Sequence, residues 1–270
     1  MNATLLNTTV TIGGIPIELQ TGNPRFMEVL ESHYGAFMSA APARVCLEID
    51  THNFQAGDSD ADLVVERSGK TWHLTRGDWR AEWDRSSGRG KVWQTVNPYA
   101  IDGVLRVVHS LLLAEHDGFL LHASSAKIAD RAYAFSGVSG AGKTTISRLA
   151  PANVTVLTDE ISYLKMEDGV FRAWGTPFAG ELGTPGPNCW APLARLFLLD
   201  KGLANRVESM SKDEAVCAVM RNVLFFADDA DLAGRVLETV CRLVENVPVE
   251  RLTFRPDREV WDMVARLGDE

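Results

Sequence analysis

Residues Gly137, Val138, Ser139, Gly140, Ala141, Gly142, Lys143 and Thr144 match the pattern G-x-x-x-x-G-K-[ST], and their flanks restrict how they can fold. The run 132–136 is short, apolar and aromatic, as a buried strand is, and the run 145–150, opening on Thr145, reads as a helix. Strand, glycine turn and helix therefore follow one another in the order a phosphate-binding loop requires. Glycines let the backbone curl so that successive N–H groups converge on phosphate oxygens, and the first helical turn adds its own unpaired N–H groups. In such a loop Lys143 reaches the outer phosphates and the Thr144 hydroxyl holds magnesium, so the expected ligands are ATP and Mg2+, with Thr145 continuing the binding turn.

The rest of the composition narrows the class. The chain has 270 residues, 46% of them hydrophobic, enough for one large domain or two modest ones. A formal net charge of -9 argues against a nucleic-acid surface, which needs clustered Lys and Arg. The start Met1, Asn2, Ala3, Thr4, Leu5 lacks a basic head and a long apolar core, and no run approaches a membrane span, so a cytoplasmic protein with no membrane partner is expected. Cys46, Cys189, Cys217 and Cys241 form no C-x-x-C pair and are expected to be buried free thiols.

Two regions separate along the chain. Residues 1–98 read as a β-rich N-terminal module, with strands at 10–12, 16–19, 45–49, 63–66, 72–75, 80–84 and 91–95 and one helix at 24–38 capped by Asn23. Trp72, Trp79, Trp83 and Trp93 alternate there with Arg76, Arg80, Arg85 and Arg89, a pattern expected of aromatics filling a sheet core with Arg on the other face. Residues 99–270 read as the catalytic domain, α/β or mixed α+β. A joining helix at 101–115 leads into strands at 119–128 and 132–135, then 154–157, and a hairpin 161–165 and 170–174 turning on Asp168 and Gly169. A Gly/Pro-rich stretch, 175–192, precedes a strand at 196–199, helices at 212–226 and 228–245, a strand at 249–254 and a helix at 258–267.

A magnesium-nucleotide site needs a carboxylate at the end of a neighbouring strand. Asp159 follows the apolar strand 154–157, and Glu160 doubles the charge. Adjacent residues on an extended chain face opposite ways, so one acid is expected to address metal or substrate and the other something else. Only sixteen positions separate Lys143 from Asp159, which places the acid on the strand directly after the loop's helix. GTPases place theirs much later, and the chain has no N-K-x-D guanine signature.

Three segments together carry a resemblance: Leu121, His122, Ala123, Ser124, Ser125, Ala126; then Phe135 and Ser136 with the glycine loop; then Leu157, Thr158, Asp159, Glu160. They resemble the HPr kinase/phosphorylase superfamily, whose nucleotide domain is similar to that of ATP-dependent phosphoenolpyruvate carboxykinases. Trp174, Gly175, Thr176, Pro177, Phe178, Gly180 and Glu181 look more like HPr-kinase-related proteins, some of which accompany peptide-modifying gene clusters. The resemblance covers roughly residues 101–266. It implies a P-loop kinase fold in which Gly137, Gly140, Gly142, Lys143 and Thr144 hold phosphates and metal. It further implies that Asp159 is the acid/base that deprotonates a hydroxyl acceptor, that His122 lies beside it, and that Glu160 and Glu181 are further metal ligands. Family members are oligomeric, so a homo-oligomer is also in view. Glu160 stands where the family has a second Asp, Thr144 where it usually has Ser, and no Glu-x-Arg-Gly signature follows the acids. These departures leave the kinase chemistry better supported than HPr itself as the acceptor.

The resulting expectation is an ATP- and Mg2+-dependent kinase acting on a hydroxyl, with Ser of a small protein or peptide favoured. Residues 175–192 and the N-terminal module are the candidate acceptor-binding regions. Transfer to a small metabolite, and a nucleotide-sensing protein without catalysis, are the alternatives.

Overall fold

Period-two alternation between residues 6 and 94 produces one eight-stranded mixed sheet. The computed structural model describes residues 4–52, 54–58 and 61–267, so Met1, Asn2 and Ala3 lie outside the described residues. The chain is mixed α/β and divides into two units, residues 1–111 with 226–229 and residues 112–225 with 230–270. The division falls inside a helix, at residue 111.

The first unit contains β1 (Leu6–Ile12), β2 (Ile15–Thr21), α1 (Pro24–Tyr34), β3 (Met38–Ser39), β4 (Val45–Asp50), β5 (Val64–Ser68), β6 (Thr71–Arg76), β7 (Trp79–Asp84), β8 (Arg89–Gln94) and α2 (Pro98–Glu115) up to Leu111. Its strands run β3-β1-β2-β4-β8-β7-β6-β5, with β4 parallel to both of its neighbours. Asn23 caps α1, accepting from the Phe26 N–H at 3.3 Å, and Pro24 opens the helix. The helix expected to reach 38 ends at Tyr34, because Gly35 begins a 3-10 turn and Met38 and Ser39 pair with β1. Trp72, Trp79 and Trp83 are buried on one face, whereas the Arg80 guanidinium lies 4.5 Å over the half-buried Trp93 on the other. The Trp/Arg alternation is thus a core face and a cation–π face.

The second unit contains β9 (Gly118–Ile128), β10 (Arg131–Ser136), α3 (Lys143–Arg148), β11 (Val154–Thr158), β12 (Ile161–Glu167), β13 (Val170–Trp174), β14 (Trp190–Lys201), β15 (Arg206–Ser209), α4 (Lys212–Met220), β16 (Val223–Leu224), α5 (Ala230–Asn246), β17 (Val249–Phe254) and α6 (Glu259–Leu267). Its nine strands form a second mixed sheet organised around β9. The first half of β9 pairs with β12 and β16; the second half pairs with β10 and β11. β14 likewise serves β13 and then β10, so the ladders β10-β9-β12-β13-β14-β10 close on themselves. β14 and β17 lie parallel to β10, and all three point their C-terminal ends the same way.

Phe135 anchors the core beneath these strands, stacked on Phe197 at 5.6 Å and edge-on to Trp261 at 5.3 Å. The Trp261 indole N–H donates to the Ile146 carbonyl at 3.1 Å, which fixes α3 to the core of α6. Four expectations shift. The strand expected at 196–199 is twelve residues long, and β15 was not expected at all. The helix expected at 212–226 stops at Met220, because Val223 and Leu224 join the edge of β9. All four cysteines are free, but Cys217 is exposed and the other three are only half-buried. Among the described residues no helix is long and apolar enough to cross a membrane.

His109, on α2, is fully buried, and loss of solvation pulls its pKa from 6.5 to about 3. The unfolded chain takes up a proton near pH 6.5 that the folded chain refuses until about 3, so stability falls as pH drops through that window. In urea unfolding between pH 6 and 4, His109→Leu is expected to reduce the pH slope of stability by about 1.4 kcal/mol per pH unit. An unchanged slope would show that His109 is not held neutral.

Candidate functional site

The partner change in β9 falls between His122 and Ala123. Ladder geometry is interrupted there, and side-chain hydroxyls take over. The Ser136 Oγ donates to the His122 carbonyl at 2.9 Å, and the Ser162 Oγ donates to the Ala123 carbonyl at 3.0 Å. Backbone bonds hold the same pair: the His122 N–H donates to the Asn222 carbonyl at 2.7 Å, and the Ala123 N–H to the Glu160 carbonyl at 3.0 Å. The glycine loop leaves from the end of β10 on one side of this junction, and the Asp159–Glu160 pair leaves from the end of β11 on the other.

The loop owes its path to glycine. Gly137, Gly140 and Gly142 all have positive φ, at 152°, 78° and 114°. At Gly142 a Cβ would also lie 2.7 Å from the Phe254 ring, so the backbone passes directly over that core aromatic. Within the loop the Ala141 N–H donates to the Val138 carbonyl at 3.0 Å. Lys143, the first residue of α3, is buried, and its ammonium folds back to donate to the carbonyls of Gly137 at 2.8 Å and Val138 at 3.3 Å.

The loop, the acids and His122 meet around one cleft of about 470 Å³. Ser139, Gly140, Gly142, Lys143, Thr144 and Thr145 form one wall. Asp159, Glu160 and Glu181 line the cleft as well, together with His122, Lys201, Arg148 and the backbone at 179–180. Gly137 and Val138 do not reach it. They line a neighbouring cavity of about 490 Å³ that shares His122 and Ser139 with the cleft. Ala141 lines neither, its methyl being part of the core.

Both acids face the same cleft, contrary to the expectation for an extended pair, because the chain bends at 159 and 160 instead of continuing β11. Asp159 is buried, and each of its oxygens is held by a backbone donor: Oδ1 accepts from the Gly180 N–H at 2.9 Å and Oδ2 from the Leu182 N–H at 2.8 Å. Gly180 is required for this embrace, since a Cβ there would lie 2.8 Å from both Asp159 Oδ2 and the Glu160 Cβ. Glu181, between the two donors, points its exposed carboxylate toward Arg148 at 3.7 Å.

Part of the Gly/Pro-rich stretch is therefore occupied in orienting Asp159, a role for Gly180 and Leu182 that no sequence motif announces. Lys201 was also missed. Only the topology shows that the last residue of β14 ends beside the loop.

The electrostatics follow from burial and proximity. Burial lowers the His122 pKa from 6.5, the Lys143 charge lowers it further, and a hydrogen bond with the Glu160 backbone opposes both. Burial likewise lowers the Lys143 pKa, opposed by the charge of Glu160. Among the described residues no three His, Cys, Asp or Glu side chains gather as a metal cage. The available donors are the Thr144 hydroxyl and the carboxylates of Asp159 and Glu160. That set suits Mg2+, which takes one or two carboxylates and fills its remaining positions with phosphates and water. A cleft with this lining can hold a polyanion together with a divalent cation.

No family model matches the chain, and no curated protein matches it.

The coupling between Lys143 and His122 can be measured. In the folded protein the His122 imidazole is expected to titrate below its ordinary 6.5. Lys143→Met removes a neighbouring positive charge and is expected to move that titration upward, with burial still holding it below 6.5. Imidazole NMR shifts followed against pH read this directly, and an identical midpoint in both proteins would mean that the two side chains are not electrostatic neighbours.

Proposed function

We propose that the chain is an ATP- and Mg2+-dependent phosphotransferase with a P-loop fold of the HPr kinase/phosphorylase type, transferring a phosphoryl group to a hydroxyl, with Ser of a small protein or peptide the favoured acceptor. One observation carries this reading. A loop with three positive-φ glycines and a buried lysine faces a fixed carboxylate across one cleft, at the point where β9 changes partners. The three sequence segments that resemble that superfamily are the three that meet there.

Each residue has a definable task. The Lys143 ammonium leaves the Gly137 and Val138 carbonyls to take up phosphate oxygens, and the loop supplies backbone N–H donors. The Thr144 hydroxyl, with Asp159 and Glu160, would hold Mg2+, which neutralises charge on the phosphates. Asp159 retains one lone-pair direction on each oxygen beyond those occupied by Gly180 and Leu182, so it can accept a proton while remaining oriented. The acceptor oxygen bonds to the γ-phosphorus as the bond to the β,γ-bridging oxygen breaks. ADP leaves, and the hydroxyl proton passes to Asp159. His122, kept neutral by burial and by Lys143, adds no competing positive charge at that point.

Transfer from γ-labelled ATP to Ser-containing peptides tests this reading, with Mg–ATP binding measured in parallel. Lys143→Ala is expected to weaken Mg–ATP binding about 10–100-fold. Asp159→Asn is expected to keep the fold but lower transfer about 10²–10⁴-fold. Retained transfer in Asp159→Asn would remove Asp159 from the mechanism. Tight, Lys143-dependent binding with no transfer to any hydroxyl would favour a nucleotide sensor, and no binding would end the reading altogether.

A further inference from the structure

The second cavity, of about 490 Å³, begins where the cleft ends. Ser139 and His122 line both spaces, and Gly137 and Val138 line the second cavity alone. The far side of the cavity is built from the end of β14, from Arg251 on β17, and from Arg221 and Asn222 just beyond α4. Its position relative to the loop is fixed by backbone bonding. The Asn222 carbonyl accepts from the His122 N–H at 2.7 Å, and the next two residues, Val223 and Leu224, pair with Leu121 and Leu120 of β9. Arg221 therefore sits one residue away from the bond that holds His122.

The charges in this cavity do not cancel. Arg251 is neutralised by Asp200, whose Oδ2 lies 2.7 Å from its Nη1. Arg221 has no ion-pair or hydrogen-bond partner for its guanidinium among the described residues, and no other carboxylate lines the cavity. One unopposed guanidinium remains, next to a loop that carries a phosphate-binding sequence. A guanidinium prefers a planar carboxylate or a phosphate, which it can hold through two parallel N–H bonds. A cavity of this size accommodates a small molecule or one end of a peptide chain, not a folded surface.

We propose that this cavity seats an oxyanion, a carboxylate or phosphate carried by the hydroxyl acceptor, and that Arg221 selects it. The inference rests on the phosphotransferase reading for the word acceptor, but the oxyanion seat itself can be tested without turnover. An acceptor anchored at Arg221 reaches the transfer point past His122 and Ser139, the two residues common to both spaces. Acceptors with an anionic group near the hydroxyl are then preferred over neutral alcohols.

The test follows the Nε–Hε signals of ¹⁵N-labelled arginine during titration with acetate and with methyl phosphate, each with and without Mg–ADP. Arg235, exposed on α5, reports non-specific pairing. The Arg221 signal is expected to shift saturably with at least one probe, at a half-saturating concentration about tenfold or more below that at Arg235. Acetate binding alone points to a carboxylate-bearing acceptor, and methyl phosphate binding alone to a phosphate-bearing one. Because these substitutions remove the Arg221 signal, the variants are read at Arg251, which lines the same cavity: its saturable shift should be lost in Arg221→Gln and weakened in Arg221→Lys. Equal responses at Arg221 and Arg235, or no saturation with either probe, would overturn the proposal. Mg–ATP binding to the native chain and to Lys143→Ala separates the two readings. Saturation at Arg221 without Lys143-dependent ATP binding leaves the oxyanion seat and removes the kinase, whereas the reverse result removes only the seat.

Discussion

The change of partners in the middle of β9 is the constraint on which the site depends. A strand that kept one pair of neighbours throughout would have no free carbonyls between His122 and Ala123, and no gap for two loops to leave through. Because β12 and β16 give way there to β11 and β10, the loop after β10 and the bend after β11 emerge on either side of one short stretch of backbone. The carbonyls at the break accept hydrogen bonds from the Ser136 and Ser162 hydroxyls, so neither is left unsatisfied. The junction lies next to both catalytic candidates, since Ser136 precedes the glycine loop directly and Thr158 precedes Asp159 directly.

Glycine then does what no other residue allows. At Gly142 the backbone must lie against Phe254, and at Gly180 it must lie against Asp159, so at both places a Cβ would occupy space already filled. The first contact ties the loop to the hydrophobic core that includes Phe135 and Trp261. The second brings two N–H groups onto one carboxylate. Orientation of Asp159 is thus a property of a segment twenty residues further along the chain, working through backbone atoms alone.

This explains why the site was only partly legible in the sequence. The glycine loop, its flanking strand, β11 and β17 were readable because each is a local pattern of apolar periodicity or special backbone residues. Four kinds of information were not local. β14 carries Pro192 and mixed polarity at its start, so its first half did not look like a strand. β15 is a short, mostly exposed strand with no alternation to detect. Val223 and Leu224 continue a helical apolar pattern but are taken by the edge of β9, a tertiary preference that overrides the local one. The backbone donors at Gly180 and Leu182 have no side-chain signature at all. Glu181, which the resemblance implies is a metal ligand, lines the cleft, and its exposed carboxylate lies 3.7 Å from Arg148, which lines the cleft too.

In the proposed chemistry the charges around the cleft leave a task for a divalent cation. Asp159 and Glu160 share the cleft with the loop, so a polyphosphate entering it meets two carboxylates at short range in surroundings less polar than water. Lys143, Arg148 and Lys201 line the same cleft, but Lys143 is engaged by the Gly137 and Val138 carbonyls and faces Glu160, and Arg148 lies beside Glu181. Thr144, Asp159 and Glu160 would hold such a cation, which would offset charge on the phosphates, while Lys143 would follow charge as it develops on the transferring group. The bend at 159 and 160 turns both acids of the pair that follows β11 to the same cleft, which is what would let them act together on one cation.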